Sequence, residues 1–128
     1  TVRLMNHAHE KNFKIVHSID GYDEISLTSK FKLISNNGDY LISPTEIGFD
    51  QLNQASIYGG ETIQEAAKIF IDVLENKGTK AQQNVVIANS AFAIQCFEPT
   101  ISFDECKDLA IASLETGNAI KCLKAVIN

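Results

Sequence analysis

Patterns typical of β-strands and patterns typical of α-helices occupy different parts of this 128-residue chain. Short runs rich in β-branched and aromatic residues occur at 13–17, 31–34 and 40–42, all before residue 43. From about residue 62 onward, apolar residues recur at helical spacing. A chain of this length forms one domain, so the order predicts an α/β or α+β unit with a short sheet packed by three to four helices.

Two of the strands are predicted to pair as an antiparallel hairpin. Asn36-Asn37-Gly38-Asp39 separates them, and Asn-Gly supplies the positive φ angles of a tight turn. We interpret 24–28 as a further extended stretch. We expect the strand at 13–17 to lie beside this hairpin and parallel to strands outside these residues.

Capping signals mark the predicted helices. A one-turn helix opens at Ser43-Pro44 and ends at Gly48. Three longer helices begin at capping boxes, Thr62–Glu65, Thr79–Gln82 and Ser102–Glu105. Gly78 is predicted to end the first of them, and Gly117 to break the third before a last helix. The helix from 79 to 97 is apolar around most of its circumference, which predicts a central, buried position.

Composition excludes several classes of function. The formal net charge is −5 and the basic residues are scattered, which argues against nucleic-acid binding. No apolar run approaches the ~18 residues of a membrane span. Cys96, Cys106 and Cys122 form no Cys-x-x-Cys pair, so neither a disulfide framework nor a zinc site is expected. We expect all three as buried core residues of a protein in a reducing compartment, the cytoplasm.

An acidic turn is the first candidate site. Asp20, Asp23 and Glu24 lie around Gly21, just after the strand that ends at His17. Open α/β sheets bind ligands at the carboxyl ends of their strands, and Mg²⁺ is usually held by one or two carboxylates together with substrate phosphates. The alternative is a solvated turn. For His17 we expect a structural role, with its ring bonded to backbone.

The glycine pair Gly59-Gly60 precedes a predicted helix and is a second candidate. Free N–H groups at a helix N-terminus bind anions. Glu61 follows directly and would repel a phosphate, so a close-packed turn is the favoured interpretation.

Six segments resemble motifs of the anthranilate phosphoribosyltransferases, and they occur in the family's order. Asp20-Gly21-Tyr22-Asp23-Glu24-Ile25-Ser26 resembles the Asp-Gly-x-Asp-Glu-Ile-Ser motif of that family. The other five similar segments are Ile15-Val16-His17, Ser43-Pro44-Thr45-Glu46-Ile47-Gly48, Tyr58-Gly59-Gly60 with Glu65-Ala66-Ala67, Ile87-Ala88-Asn89-Ser90-Ala91, and Ser113-Leu114-Glu115-Thr116-Gly117-Asn118-Ala119. Two departures stand out: Ser29-Lys30 replaces a Gly that is often followed by Pro, and Glu61 replaces an Asp.

The resemblance implies an enzyme of tryptophan biosynthesis. Such enzymes transfer the phosphoribosyl group of phosphoribosyl pyrophosphate to the amine of anthranilate and release pyrophosphate. Carried over to this sequence, Asp23 and Glu24 would bind Mg²⁺ on the pyrophosphate, whereas Asp20 would serve the turn. No catalytic residue is assigned. A binding module of the same fold family, without transferase activity, is the alternative.

The resemblance also implies what lies outside residues 1–128. The family's phosphate loop, anthranilate site and helical domain, which carries the usual homodimer interface, have no match here. The chain opens without Met, on apolar positions that suggest a helix over 1–8. We therefore expect the truncated C-terminal part of the phosphoribosyl-transferring α/β domain, inactive alone. Because a strand edge and apolar helix surface would be uncovered, we expect it to self-associate.

Overall fold

The computed structural model describes residues 12–127, and within them strands precede helices as predicted. The strands are β1 (Lys14–Ser18), β2 (Phe31–Ser35) and β3 (Gly38–Ile42), followed by two short 3₁₀ helices at Pro44–Ile47 and Gln54–Ile57. The helices are α1 (Ile63–Leu74), α2 (Lys80–Phe97), α3 (Phe103–Glu115) and α4 (Asn118–Ile127). The predicted helix over 1–8 lies outside the described residues.

The three strands form one antiparallel sheet in the order β1-β2-β3. The predicted hairpin is confirmed, with Ser35 opposite Gly38. Its turn is centred on Asn36-Asn37, and Gly38 directly after it has a positive φ of 132°. The prediction of positive φ angles is therefore confirmed for Gly38 and wrong for Asn37. Within residues 12–127, β1 has no strand on its other edge, and its parallel pairing stays a prediction.

The predicted caps place the helices correctly with one exception. All three capping boxes are present, and Gly48 closes the first 3₁₀ helix in a left-handed conformation. Helix α1 ends at Leu74, before the predicted stop, because Asn76 already adopts a left-handed φ of 59°. Gly78 instead packs against Val73, whose Cγ2 would lie 2.7 Å from an added Cβ.

Helix α2 is the centre of the core, as its sequence predicts. Its buried residues are Ile87, Ala88, Ala91 and Phe92. The Phe92 ring meets Phe31 of β2 edge-on at 5.8 Å between centroids and lies 4.6 Å from Phe103 of α3. This packing ties the sheet to α2 and α3, and it positions α2 beside the loop that follows β1.

The outer helices are far less buried. Val73 is the only buried residue of α1, and the described part of α4 has none. The cysteines follow this division: Cys106 on α3 is fully buried, which raises the pKa of its thiol, whereas Cys122 on α4 is exposed. The expectation that all three cysteines are buried is therefore confirmed for Cys106 and wrong for Cys122, and Cys96 on α2 is only half-buried.

Candidate functional site

The acidic turn lies in the loop 19–30 between β1 and β2, directly after Ser18. A tight turn starts this loop: Gly21 donates its N–H to the Ser18 carbonyl at 3.1 Å and has a φ of 102°. The Ser18 N–H in turn donates to the Tyr22 carbonyl at 2.9 Å. Residues 23 and 24, the predicted metal ligands, follow this turn and are exposed.

The stretch 24–28, predicted to be extended, is not a strand. Residues 25–28 are buried, yet they pair with no neighbouring strand among the described residues. Leu27 has a φ of 61° and is fully buried. A non-glycine residue in this region is strained, and it stays there only because its surroundings hold it. The alternation of apolar and polar residues in Ile25-Ser26-Leu27-Thr28 thus reflects a buried irregular loop, not a sheet.

Side chains take the place of strand partners for this buried backbone. Asn89 of α2 accepts from the Ile25 N–H at 3.0 Å and donates to the Ile25 carbonyl at 2.8 Å. The Ser18 hydroxyl donates to the Glu24 carbonyl at 2.7 Å and accepts from the Ser26 N–H at 3.1 Å. Buried backbone groups are costly when unpaired, so these bonds explain why the loop can be irregular and buried at once.

A chain of hydroxyl groups links the buried segment to Asp20. Thr28 donates its hydroxyl to Asp20, and the Ser26 and Thr28 hydroxyl oxygens lie 2.8 Å apart. Ser29 and Gln54 also donate to the Asp20 carboxylate, at 2.8 and 3.4 Å. The Thr28 hydrogen bond, followed by those from Ser29 and Gln54, holds the pKa of Asp20 below its usual value. Asp20 therefore serves the loop structure, as expected.

Asp23 and Glu24 differ from Asp20 in having no such partners in the part of the chain that the structure describes. Their carboxylates accept no hydrogen bond and form no ion pair within residues 12–127. Two exposed carboxylates with free oxygens are the donor set that Mg²⁺ takes together with phosphates and water. No group of three or more His, Cys, Asp or Glu side chains in the described range is arranged to hold a metal. The pair fits a metal that phosphates and water complete, and its assignment stays a prediction.

The other candidates have clear structural outcomes. The favoured close packing is confirmed for Gly60, where an added Cβ would lie 2.7 Å from that of Glu65, but not for Gly59, which has no atom of residues 12–127 within 4 Å of such a Cβ. The Glu65 carboxylate also accepts from the N–H groups of Glu61 and Thr62 and so occupies the donors that an anion would need. His17 is exposed, and its ring makes none of the expected backbone bonds to the described residues.

Sequence reasoning missed Asn89 and Ser18 as parts of the site. A signal for Asn89 was present, because it is a polar residue within the apolar run from Val85 to Ala91 on a helix predicted to be buried. Buried polar side chains are hydrogen-bonded. The partner, 64 residues earlier in the chain, is not encoded in any local pattern.

Comparisons with known proteins show what this chain is similar to over most of its length. A family model described as "Glycosyl transferase family, a/b domain" matches residues 2–120. Anthranilate phosphoribosyltransferase from Phocaeicola vulgatus is 45% identical over 98% of this chain, and that from Cytophaga hutchinsonii is 46% identical over 98%. The chain spans only 39% of the length of each of these relatives, and it corresponds to their C-terminal portion.

Solved structures agree on the fold. Anthranilate phosphoribosyltransferase from Thermus thermophilus superposes with a TM-score of 0.76 at 23% identity, over 89% of this chain and 34% of that one. The enzyme from Saccharomyces cerevisiae in complex with PRPP and Mg superposes with a TM-score of 0.77 at 18% identity, over 91% and 33%. At these identities the likeness establishes the α/β fold.

Proposed function

Since this chain belongs to the glycosyl transferase family, a/b domain, we propose that it is the C-terminal part of an anthranilate phosphoribosyltransferase. The reaction joins the anthranilate amine nitrogen to C1 of the phosphoribosyl group, breaks the bond from C1 to pyrophosphate, and releases an amine proton. Relatives of that name are 45% and 46% identical over 98% of this chain. Identity at this level over nearly the whole of this chain supports the same role here.

The observation that carries this proposal is the contrast within the loop 19–30. Four hydrogen bonds with Ser18 and Asn89 hold backbone groups of residues 24–26, while the Asp23 and Glu24 carboxylates accept no hydrogen bond from residues 12–127. A binding pair needs this combination, because ligands must be held in position without being already occupied.

Asp23 and Glu24 would hold Mg²⁺ on the pyrophosphate of the substrate. When bound, the ion neutralises negative charge that develops on the leaving group. The chain's own residues have two tasks: the carboxylates bind, and the loop orients them. The phosphate loop and anthranilate site of the family lie outside residues 1–128, so we expect these residues alone to be inactive, because positioning of both substrates is missing.

The remaining expectations follow from the same family role. We propose a cytoplasmic enzyme that is a homodimer as the complete protein. No helix within the described residues is both long and apolar enough to cross a membrane.

The test is an assay of the complete protein that carries this chain. Anthranilate fluorescence should fall when phosphoribosyl pyrophosphate and Mg²⁺ are both present, and not when either is omitted. The isolated chain, at the same molar concentration, should leave the fluorescence unchanged. A folded complete protein without turnover would instead favour a binding module of the same fold, and turnover by the isolated chain would contradict the proposed division of the site.

A further inference from the structure

We propose that Asn89 is a positioning residue, which fixes the Asp23–Glu24 pair from helix α2 by binding the backbone directly after it. The inference rests on the proposed function for the identity of the pair as metal ligands. It assigns to one side chain of the central helix a role that goes beyond packing.

The geometry of the Asn89 amide is specific. Its Oδ1 accepts from the Ile25 N–H at 3.0 Å, and its Nδ2 donates to the Ile25 carbonyl at 2.8 Å. Nδ2 also donates to the Val85 carbonyl, one turn earlier on α2, at 2.8 Å. This last bond orients the amide plane from within the helix. One residue thus holds both polar backbone groups of the residue that follows Glu24.

A second side chain holds the backbone groups on either side of Ile25. Ser18 at the end of β1 is fully buried, and its hydroxyl binds the Glu24 carbonyl and the Ser26 N–H. Three consecutive residues are therefore fixed by two side chains that come from the sheet and from the helix. All of these bonds go to backbone atoms, so the Asp23 and Glu24 carboxylate oxygens stay available.

Because Asn89 lies on an anchored helix, its hydrogen bonds can restrict the Asp23 and Glu24 side chains. Helix α2 is anchored by Ile87, Ala88, Ala91 and Phe92, all buried in the core. A rigid helix that binds the loop at two atoms restricts where the preceding two side chains can point. Removing a group that hydrogen-bonds a ligating side chain itself lowers metal affinity or activity by about 10- to 100-fold. Because Asn89 holds the backbone beside the pair, we expect the lower end of that range.

The first measurement uses the complete protein and Mn²⁺ alone as the probe. Electron paramagnetic resonance of free Mn²⁺ gives the dissociation constant, and hydrogen–deuterium exchange of the peptide covering 22–28 gives the local opening. In Asn89→Ala we expect the dissociation constant to rise about 10-fold and exchange to accelerate in that peptide. Mn²⁺ should slow the exchange there in the unaltered protein.

Two controls separate positioning from general destabilisation. Asn84→Ala removes an amide from the same helix that has no hydrogen bond among the described residues. Val73 on α1 is buried and packs against Gly78. Val73→Ala removes buried volume there and should lower thermal stability without changing any contact of the loop 19–30. Neither control should change Mn²⁺ affinity. In the assay, Asn89→Ala should raise the half-saturating Mg²⁺ concentration, and excess Mg²⁺ should restore part of the rate.

The outcomes distinguish this inference from the proposed function. If Asn89→Ala binds Mn²⁺ as Val73→Ala does, or if Mn²⁺ protects another peptide, Asn89 does not position the pair. If Mn²⁺ binding depends on Asn89 but the complete protein does not consume anthranilate, the positioning inference stands and the proposed reaction fails.

Discussion

Two parts of one loop use the same chemical group in opposite ways. Asp20 accepts hydrogen bonds from Thr28, Ser29 and Gln54. Asp23 and Glu24, only a few residues later, accept none from the described residues. A carboxylate that already accepts several fixed donors has fewer lone pairs left for an ion, and this lowers its value as a ligand. All three residues are acidic, so the number of hydrogen bonds that each carboxylate accepts is what separates the structural Asp20 from the candidate ligands Asp23 and Glu24.

The largest expected effect comes from neutralising the free pair. In the complete protein, Asp23→Asn with Glu24→Gln should lower kcat/KM about 100-fold or more, the scale for losing one electrostatic stabiliser of a transition state. The unfolding midpoint should stay within ~1 °C, because substitutions at sites without folded-state partners change stability little. Circular dichroism melts beside the fluorescence assay measure both. A lower midpoint with unchanged turnover would reverse the assignment of roles within the loop.

Asp20→Ala should give the opposite profile. Removing this carboxylate leaves the buried Thr28 hydroxyl without its acceptor, and hydrogen bonds to charged groups contribute about 1.5–3 kcal/mol. Because Asp20 itself is exposed, we expect about 1–2 kcal/mol less unfolding free energy in urea titrations. Mn²⁺ affinity should change less than in the Asp23 and Glu24 double variant. Thr28→Val removes the donor of the same hydrogen bond and is the matched control. It should lower the unfolding free energy by a similar amount.

The sequence predicted those features that depend on neighbouring residues, and it missed those that depend on residues far apart in the chain. Local rules found the hairpin, the capping boxes and the buried face of α2, because each depends on residues within a few positions. They also placed Asp20 in the turn. They predicted an extended stretch at 24–28, since a buried irregular segment has the same alternation of apolar and polar residues as an extended one. The partner of Ile25 is Asn89, and no local pattern connects residues 64 positions apart.

The resemblance and the physics supplied different parts of the candidate site. The family motif singled out Asp23 and Glu24, whereas charge and spacing alone left a solvated turn open. The structure adds that neither carboxylate accepts a hydrogen bond from residues 12–127, and that the backbone directly after them is held in place. Two expectations stay predictions: that β1 pairs in parallel with a strand outside these residues, and that the chain self-associates.

A smaller effect is expected from pH. The pKa of Asp20 in the folded chain is lowered, chiefly by the Thr28 hydroxyl, whereas an unperturbed Asp titrates near 3.9. The ionised form therefore stabilises the fold above the unfolded pKa, and this contribution is lost as pH falls through the folded pKa. The stability difference between the unaltered chain and Asp20→Asn should be constant from about pH 7 to 5 and shrink below about pH 4.

Urea titrations of both proteins across that range measure this difference. The pKa values of Glu46, Glu65 and Glu105 are also lowered, chiefly by hydrogen bonds from Ser43, from the Glu61 N–H and from Ser102 respectively. These effects are common to both proteins and cancel. A difference that does not depend on pH would show that the Asp20 carboxylate contributes through shape and not through charge.

The smallest expected effect is that of Mg²⁺ on the isolated chain. Two carboxylates without substrate phosphates leave most of the octahedron to water, which Mg²⁺ gives up reluctantly. If the dissociation constant is on the order of 10 mM, about 5 mM Mg²⁺ stabilises the fold by only ~0.2 kcal/mol, a shift of about 1 °C in Tm. Calorimetric titration should therefore show little heat, and Asp23→Asn with Glu24→Gln should remove even that. Phosphoribosyl pyrophosphate added to the complete protein should strengthen the binding, because it supplies the missing oxygen ligands. A micromolar constant in the isolated chain would mean that its own residues complete the coordination, and the contrast between occupied and free carboxylates would then have to include a further ligand.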